Sequence, residues 1–203
     1  KNVPPEEAFP RKGLDASLPW VGHPDDADSM EKARLVRHAL SQAIDRQLLI
    51  DTTLDGYGGL LYTMMQIQVG DEDFNDEWII PYDPDNAKKL LAEAGYPDCF
   101  ELPWWVAPDS ALVNVEVGDA VAQMWSNIGC DVKVDHTAYA ARRPSLVSRE
   151  MNSPWLMHGG QGDAKYTVTA LSALATRGFS YGVEIQVVSD AFVANNAEED
   201  AAK

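Results

Sequence analysis

Basic residues are scarce in this sequence: 16 lysines and arginines stand against 32 aspartates and glutamates, giving a formal charge of −16. A field of that sign repels phosphate backbones, so nucleic acid is not an expected partner. Long apolar runs are missing too, and no stretch reaches the ~20 residues that a bilayer-spanning helix needs. The opening "KNVPPEEAFPRKG" lacks the charged-then-apolar layout of a secretion leader. The expectation is that a leader has been removed or lies upstream. Cysteine is limited to two residues, too few for a disulfide scaffold and too far apart for a CxxC motif. The histidines, His23, His38, His136 and His158, show no metal-ligand spacing, and no HExxH pattern occurs. No metal or cofactor is therefore expected. Internal repeats and low-complexity tracts are absent, and the tail "NNAEEDAAK" reads as a fraying end.

What is present is globular. Hydrophobic residues make up 45% of the 203, enough for one large domain or two small ones. Residues 1–28 are Pro- and Asp-rich and read as an extended lead-in. From Ser29 the pattern turns helical, with Val36, Ala39, Leu40, Ala43 and Ile44 on one stripe. Asp45 can cap a second short helix through Leu54, stopped by "DGYGG". Residues 60–81 look irregular, with Trp78, Ile79 and Ile80 expected to anchor them.

The stretch "YDPDNAKKLLAEAGYPDCFELPWW" carries the densest local signals. Asp83 suits an N-cap, Pro84 the first helical position, and Gly95 a left-handed stop. "FELPWWV" follows as a strand, where Pro103 predicts a sheet edge or a bulge. Residues 110–128 predict a longer helix with Val113, Val117, Val121, Met124, Trp125 and Ile128 on one side and Gly129 as its stop. "CDVKVD" alternates as a strand, and the order strand, helix, strand implies a parallel pair. A short helix from Pro144 to Glu150, a strand at "PWLMH", the loop "GGQGD" and helices near 168–176 and 184–195 complete the reading. The fold class is α/β, a small mixed sheet with a βαβ unit flanked by helices.

An enzyme reading can be built from "GFSYG", which matches a G-x-S-x-G nucleophile elbow at Ser180, with "HGGQGD" as an oxyanion loop. That chemistry needs a histidine after the serine in chain order, and all four histidines precede it. The expectation is a non-enzyme. "GGQGD" could cradle a phosphate, but no Lys-Ser/Thr follows and Asp163 would repel the anion. A tight turn at Gly159 and Gly160 beside a ligand cleft fits better. Trp104, Trp105, Tyr139 and Trp155 all fall near strand ends on the C-terminal side of the sheet, the edge where open α/β sheets bind ligands. Each ring could equally be core.

Three segments together resemble one family. "LVRHALSQAIDRQLLIDTTLDGYG", "YDPDNAKKLLAEAGYPDCFEL" and "AVAQMWSNIGCDVKVD" are similar, in order and spacing, to the dipeptide/oligopeptide/nickel-binding family of ABC-transporter solute-binding proteins. Cys99 stands where that family usually has glycine. The resemblance spans roughly residues 30–140 and implies the C-terminal lobe, domain III, of a two-lobed periplasmic-binding-protein-like fold. It assigns residues 29–183 to that lobe, 1–28 to a lead-in from the hinge side, and 184–203 to a segment heading back toward a first lobe. It implies one wall of a cleft that captures a peptide or similar small solute for a permease, in a periplasmic or extracellular protein whose full-length form can be lipid- or membrane-associated. The lobe is expected as a single copy with negligible affinity for peptides on its own. Asp163 aligns with the family's amine-pairing Asp, although Gly160 replaces the usual Trp and no Pro follows; Tyr139 falls where members present an aromatic ring. The candidate ligand set is thus Asp163, Tyr139, Trp155, Gly159, Gly160 and Trp105. An extracytoplasmic sensor or a peptide chaperone on the same fold remains open, as does an α/β domain without a ligand.

Cys99 lies just before one strand of the parallel pair and Cys130 begins the other, so both fall at the same end, within reach of a disulfide. An exported location would permit the bond. Two buried free thiols acting as small apolar groups are the alternative.

Overall fold

The computed structural model describes residues 15–23, 25–62, 67, 69–72, 74–109, 114–148 and 150–156. The loop "GGQGD", the "GFSYG" string, the helices near 168–176 and 184–195, the tail and Val113 lie outside them. The described elements run α1 (Ala27–Gln42), α2 (Arg46–Thr53), a single 3-10 turn (Asp76–Trp78), α3 (Pro84–Glu93), β1 (Glu101–Val106), α4 (Asn114–Asn127), β2 (Asp131–Asp135), α5 (Tyr139–Val147) and β3 (Trp155–Leu156). The strand order is β2-β1-β3.

Both pairings are parallel, with Glu101 opposite Asp131 on one side of β1 and Trp105 opposite Trp155 on the other. The sequence reading expects a mixed sheet; among the described residues no antiparallel pairing is present. β1–α4–β2 forms the expected βαβ unit.

Local chemistry explains the helix boundaries. Asp26 accepts from the Asp28 and Ser29 amides and starts α1 at Ala27, two residues before the apolar pattern becomes visible. Asp45 and Asp83 cap α2 and α3 in the same way, each through an amide three residues on. Helices α3 and α4 end alike. Gly95 and Gly129 take positive φ, and the amides of Tyr96 and Cys130 reach back to the carbonyls of Leu91 and Trp125.

The two faces of β1 serve different cores. Leu102, Trp104 and Val106 point into the main core with Val36, Ala39 and Leu40 of α1, Leu91 of α3 and Trp125 of α4. Burying each such side chain contributes on the order of 1.5–3 kcal/mol. The Trp104 and Trp125 rings meet edge-on at 4.7 Å, and each indole N–H finds a carbonyl, Gly118 O at 2.9 Å and Leu40 O at 2.8 Å. On the other face, Trp105 and Ala107 pack with Leu146 of α5.

Four expectations need correction. The lead-in is not extended throughout: residues 15–23 turn back on themselves and bury Trp20 against Phe100, because a large ring gains more in the core than in solvent. Ile79 does not anchor its segment as expected, whereas Trp78 and Ile80 are half-buried. Ile79 is 38% exposed, and Trp78 packs edge-on against the neighbouring Phe74 instead. The short helix expected from Pro144 starts at Tyr139, five residues earlier, with Pro144 inside it. Its start is set by contacts from outside the helix, described below, which no local pattern encodes. Pro103 sits in the central strand. Its ring is tolerated because amides of β1 on that side meet β3 only from Trp105 onward, bonding Pro154 O and Leu156 O.

The cysteines form a disulfide, Cys99–Cys130, with Cα atoms 4.8 Å apart. It joins the turn before β1 to the residue before β2, at the N-terminal end of the parallel pair.

Candidate functional site

The opposite, C-terminal end of β1 and β2 is where the expected aromatic residues gather, and they take different places there. Trp105 is interior, 1% exposed, with its indole N–H donating to Thr137 O at 2.6 Å. Its ring lies 5.9 Å from that of Trp155, tilted by 30°. Tyr139 and Trp155 are half-buried at the margin of this second core. Trp104 turns to the other face of the sheet and is main core. Among the described residues of this edge, then, Trp105 forms the floor and Tyr139 and Trp155 offer ring surface. Asp163, Gly159 and Gly160 lie outside the described residues.

Polar groups that carry little or no sequence signal, Asp135, Asp109 and Asn114 among them, organise this edge. Asp135, the last residue of β2, accepts from the amide and hydroxyl of Thr137 and from the Arg142 guanidinium. Burial raises the Asp135 pKa, but the hydrogen bonds from Thr137 and Arg142 outweigh it and hold the carboxyl below its ordinary value. Asp109, just past β1, accepts from the Tyr139 amide at 2.8 Å. Asn114, buried at the start of α4, donates to Ala107 O and Leu156 O and so ties the ends of β1 and β3 together. His136 and Asp119 form an exposed pair at 3.0 Å. A weak signal for one of these existed: "DHT" is an Asp two residues before a Thr, the spacing of a local Asx turn. The Asp109 contact spans 30 residues and leaves no such trace.

Chemically, this edge offers two aromatic surfaces over a buried, hydrogen-bonded tryptophan, with Asp109, Asp135 and Arg142 already engaged with one another or with backbone. Among the described residues, no group of three His, Cys, Asp or Glu side chains converges to hold a metal. A shallow groove of about 180 Å³ lies toward the disulfide end, lined in part by Ser17, Gly22, Asp26, Lys32 and Tyr96. Its Asp26 is already committed to the start of α1.

A small parallel sheet with helices on both faces and an aromatic C-terminal edge is of the periplasmic-binding-protein-like type. The chain belongs to the bacterial extracellular solute-binding proteins, family 5, whose middle-region model matches residues 27–180. Heme-binding protein A of Haemophilus influenzae is 29% identical over 143 residues, which are 68% of this chain and 25% of that protein. Glutathione-binding protein GsiB of Escherichia coli K12 is 36% identical over 99 residues, 49% of this chain and 19% of that protein. The chain thus spans a quarter or less of these relatives. Among solved structures, a dipeptide-binding protein of Pseudoalteromonas in complex with Met-Leu superposes with a TM-score of 0.63 at 21% identity, covering 83% of this chain and 32% of that one. Helicobacter pylori DppA, in complex with the peptide STSA, gives 0.63 at 18% identity, covering 90% and 34%. At such identities the likeness is one of fold.

Proposed function

We propose that this chain is one lobe of an ABC importer's solute-binding protein and supplies one wall of a cleft that captures a peptide or similar small solute for delivery to a permease. The observation that carries this reading is the aromatic edge: Tyr139 and Trp155 half-buried at the C-terminal side of parallel strands, in a chain that belongs to a solute-binding family. Tyr139 and Trp155 would touch the solute, Trp105 would support them from beneath, and Asp163 with Gly159 and Gly160 would complete the wall. Residues 29–183 make up the lobe in this reading, 1–28 lead in from the hinge side, and 184–203 return toward a first lobe.

Capture works by closing two lobes on the solute, a hinge motion whose closed form the permease reads. No bond is made or broken, in keeping with relatives that are named for what they bind. The full-length protein works outside the cytoplasm, with a lipid- or membrane-associated form, and the lobe is a single copy that does not bind nucleic acid. One lobe alone supplies half of the contacts and does not exclude water, so its affinity for peptides is negligible. Native mass spectrometry of the full-length protein tests the reading. A co-purified small solute that is lost on Tyr139→Ala and Trp155→Ala supports it; a solute retained unchanged in both variants overturns it.

A further inference from the structure

Helix α5 cannot be explained by its own sequence. It has nine residues, no side-chain cap at Ala138 and a proline at position 144, which removes one backbone donor from the helical ladder. Isolated helices of this length are marginal even with good sequences. What starts it is remote. The first amide of the helix, that of Tyr139, donates to Asp109, just past the end of β1. One turn later, Arg142 is held by Asp135 at the end of β2. Asp135 also takes both polar groups of Thr137, whose carbonyl receives the Trp105 indole. Two carboxylates, each at the end of a strand, therefore clamp the first turn of α5 onto the aromatic floor.

We propose that Asp109 and Asp135 are positioning residues for the Tyr139 ring: they set the shape of the solute-facing wall without touching the solute. This rests on the reading of that edge as a cleft wall. Asp109 acts as an N-cap supplied from another strand, so the ring follows the β1 end and not the helix's own propensity. Asp135 orients the linker through Thr137 and the helix through Arg142. The wall is accordingly specified by strand ends, and substitutions at 109 or 135 would retune solute preference.

The test uses the 203-residue chain without solute and reads the Tyr139 ring by NMR, together with exchange of the Tyr139 amide. Asp109→Ala should move the ring shifts toward random-coil values and speed that amide's exchange at least ~10-fold, while the amides of β1 and β2 stay protected. Asp109→Asn keeps an acceptor oxygen and should restore both. Should Asp109→Ala unfold the chain, Thr137→Val provides the second reading and should shift the ring in the same direction by less. Unchanged Tyr139 signals in Asp109→Ala, or in Thr137→Val if that is the variant read, overturn the proposal. So does failure of Asp109→Asn to restore them. Because no solute is present, the ring can obey these two carboxylates whether or not the cleft reading holds. That reading fails separately, in the mass-spectrometric experiment.

Discussion

The indole N–H of Trp20 donates to the carbonyl of Asn152 at 2.6 Å, in the ladder position that Pro103 cannot fill. Trp105 and Ala107 bond Pro154 O and Leu156 O, so the register assigns Asn152 O to residue 103. Proline has no N–H to give, and a tryptophan from 132 residues away in sequence supplies the donor. Trp20→Phe should therefore cost more than its lost contacts, adding roughly 1–3 kcal/mol for a carbonyl left without its partner. Introducing Pro103→Val into the Trp20→Phe chain restores a donor on β1 and should recover part of the loss. Urea denaturation of the two variants measures this, and equal stabilities would contradict the register argument.

Cys99 holds a φ of 56°, in the left-handed region where a Cβ costs roughly 1–2 kcal/mol, and it carries the disulfide to Cys130. This accounts for the glycine that the resembling family usually has there. With a sequence separation of 31, the bond should contribute about 3–4 kcal/mol through the unfolded chain. Reduction should lower the urea midpoint accordingly. Cys99→Gly should be less destabilised than Cys99→Ala, since both lose the bond but only alanine keeps the backbone strain. Thiol counting on the denatured, unreduced protein should find no free thiol.

Helix α4 meets β1 at a glycine. A Cβ on Gly118 would lie 2.5 Å from Val106 Cγ2, inside the core. Gly118→Ala gains up to about 1 kcal/mol in helix propensity, yet overpacking should reverse the sign, for a net loss of roughly 1–2 kcal/mol. Val106→Ala in the same chain should relieve the clash. A double-mutant cycle should then give a favourable coupling, and strict additivity would rule out the contact.

Asp135 should make stability depend on acid pH. Its folded pKa lies below the ordinary 3.8, so its contribution is complete above that value and is lost as pH falls through the folded one. The stability gap between wild type and Asp135→Asn should be steady near neutral pH and shrink as pH drops below about 4. A gap that widens on acidification would have the wrong sign.

Much of this fold was legible because its signals are local. Asp45, Asp83, Pro84, Gly95 and Gly129 act within one turn of where they stand, through caps and positive φ that only certain residues supply. The stripe of α1 follows from helical periodicity, and the alternating sequence "CDVKVD" marks β2 as a strand. The same logic carried to the cysteine pair, because parallel strands bring equivalent ends together. Illegible were Trp20 on Asn152, Asp109 on Tyr139 and Asn114 on Leu156, all partners 30 or more residues apart with no repeating spacing. At the candidate site, strand-end position marked Tyr139 and Trp155, but it could not tell them from Trp105, which the fold buries.

By itself the sequence determined α1 to α4, the order of the βαβ unit and the family, since caps, turns and apolar periods are short-range chemistry. Tertiary structure alone decided which aromatic rings face outward and which form the floor. It also decided what holds α5 in place. Both depend on which face of β1 each residue takes once neighbouring strands and helices cover it, and that is a property of the packed sheet.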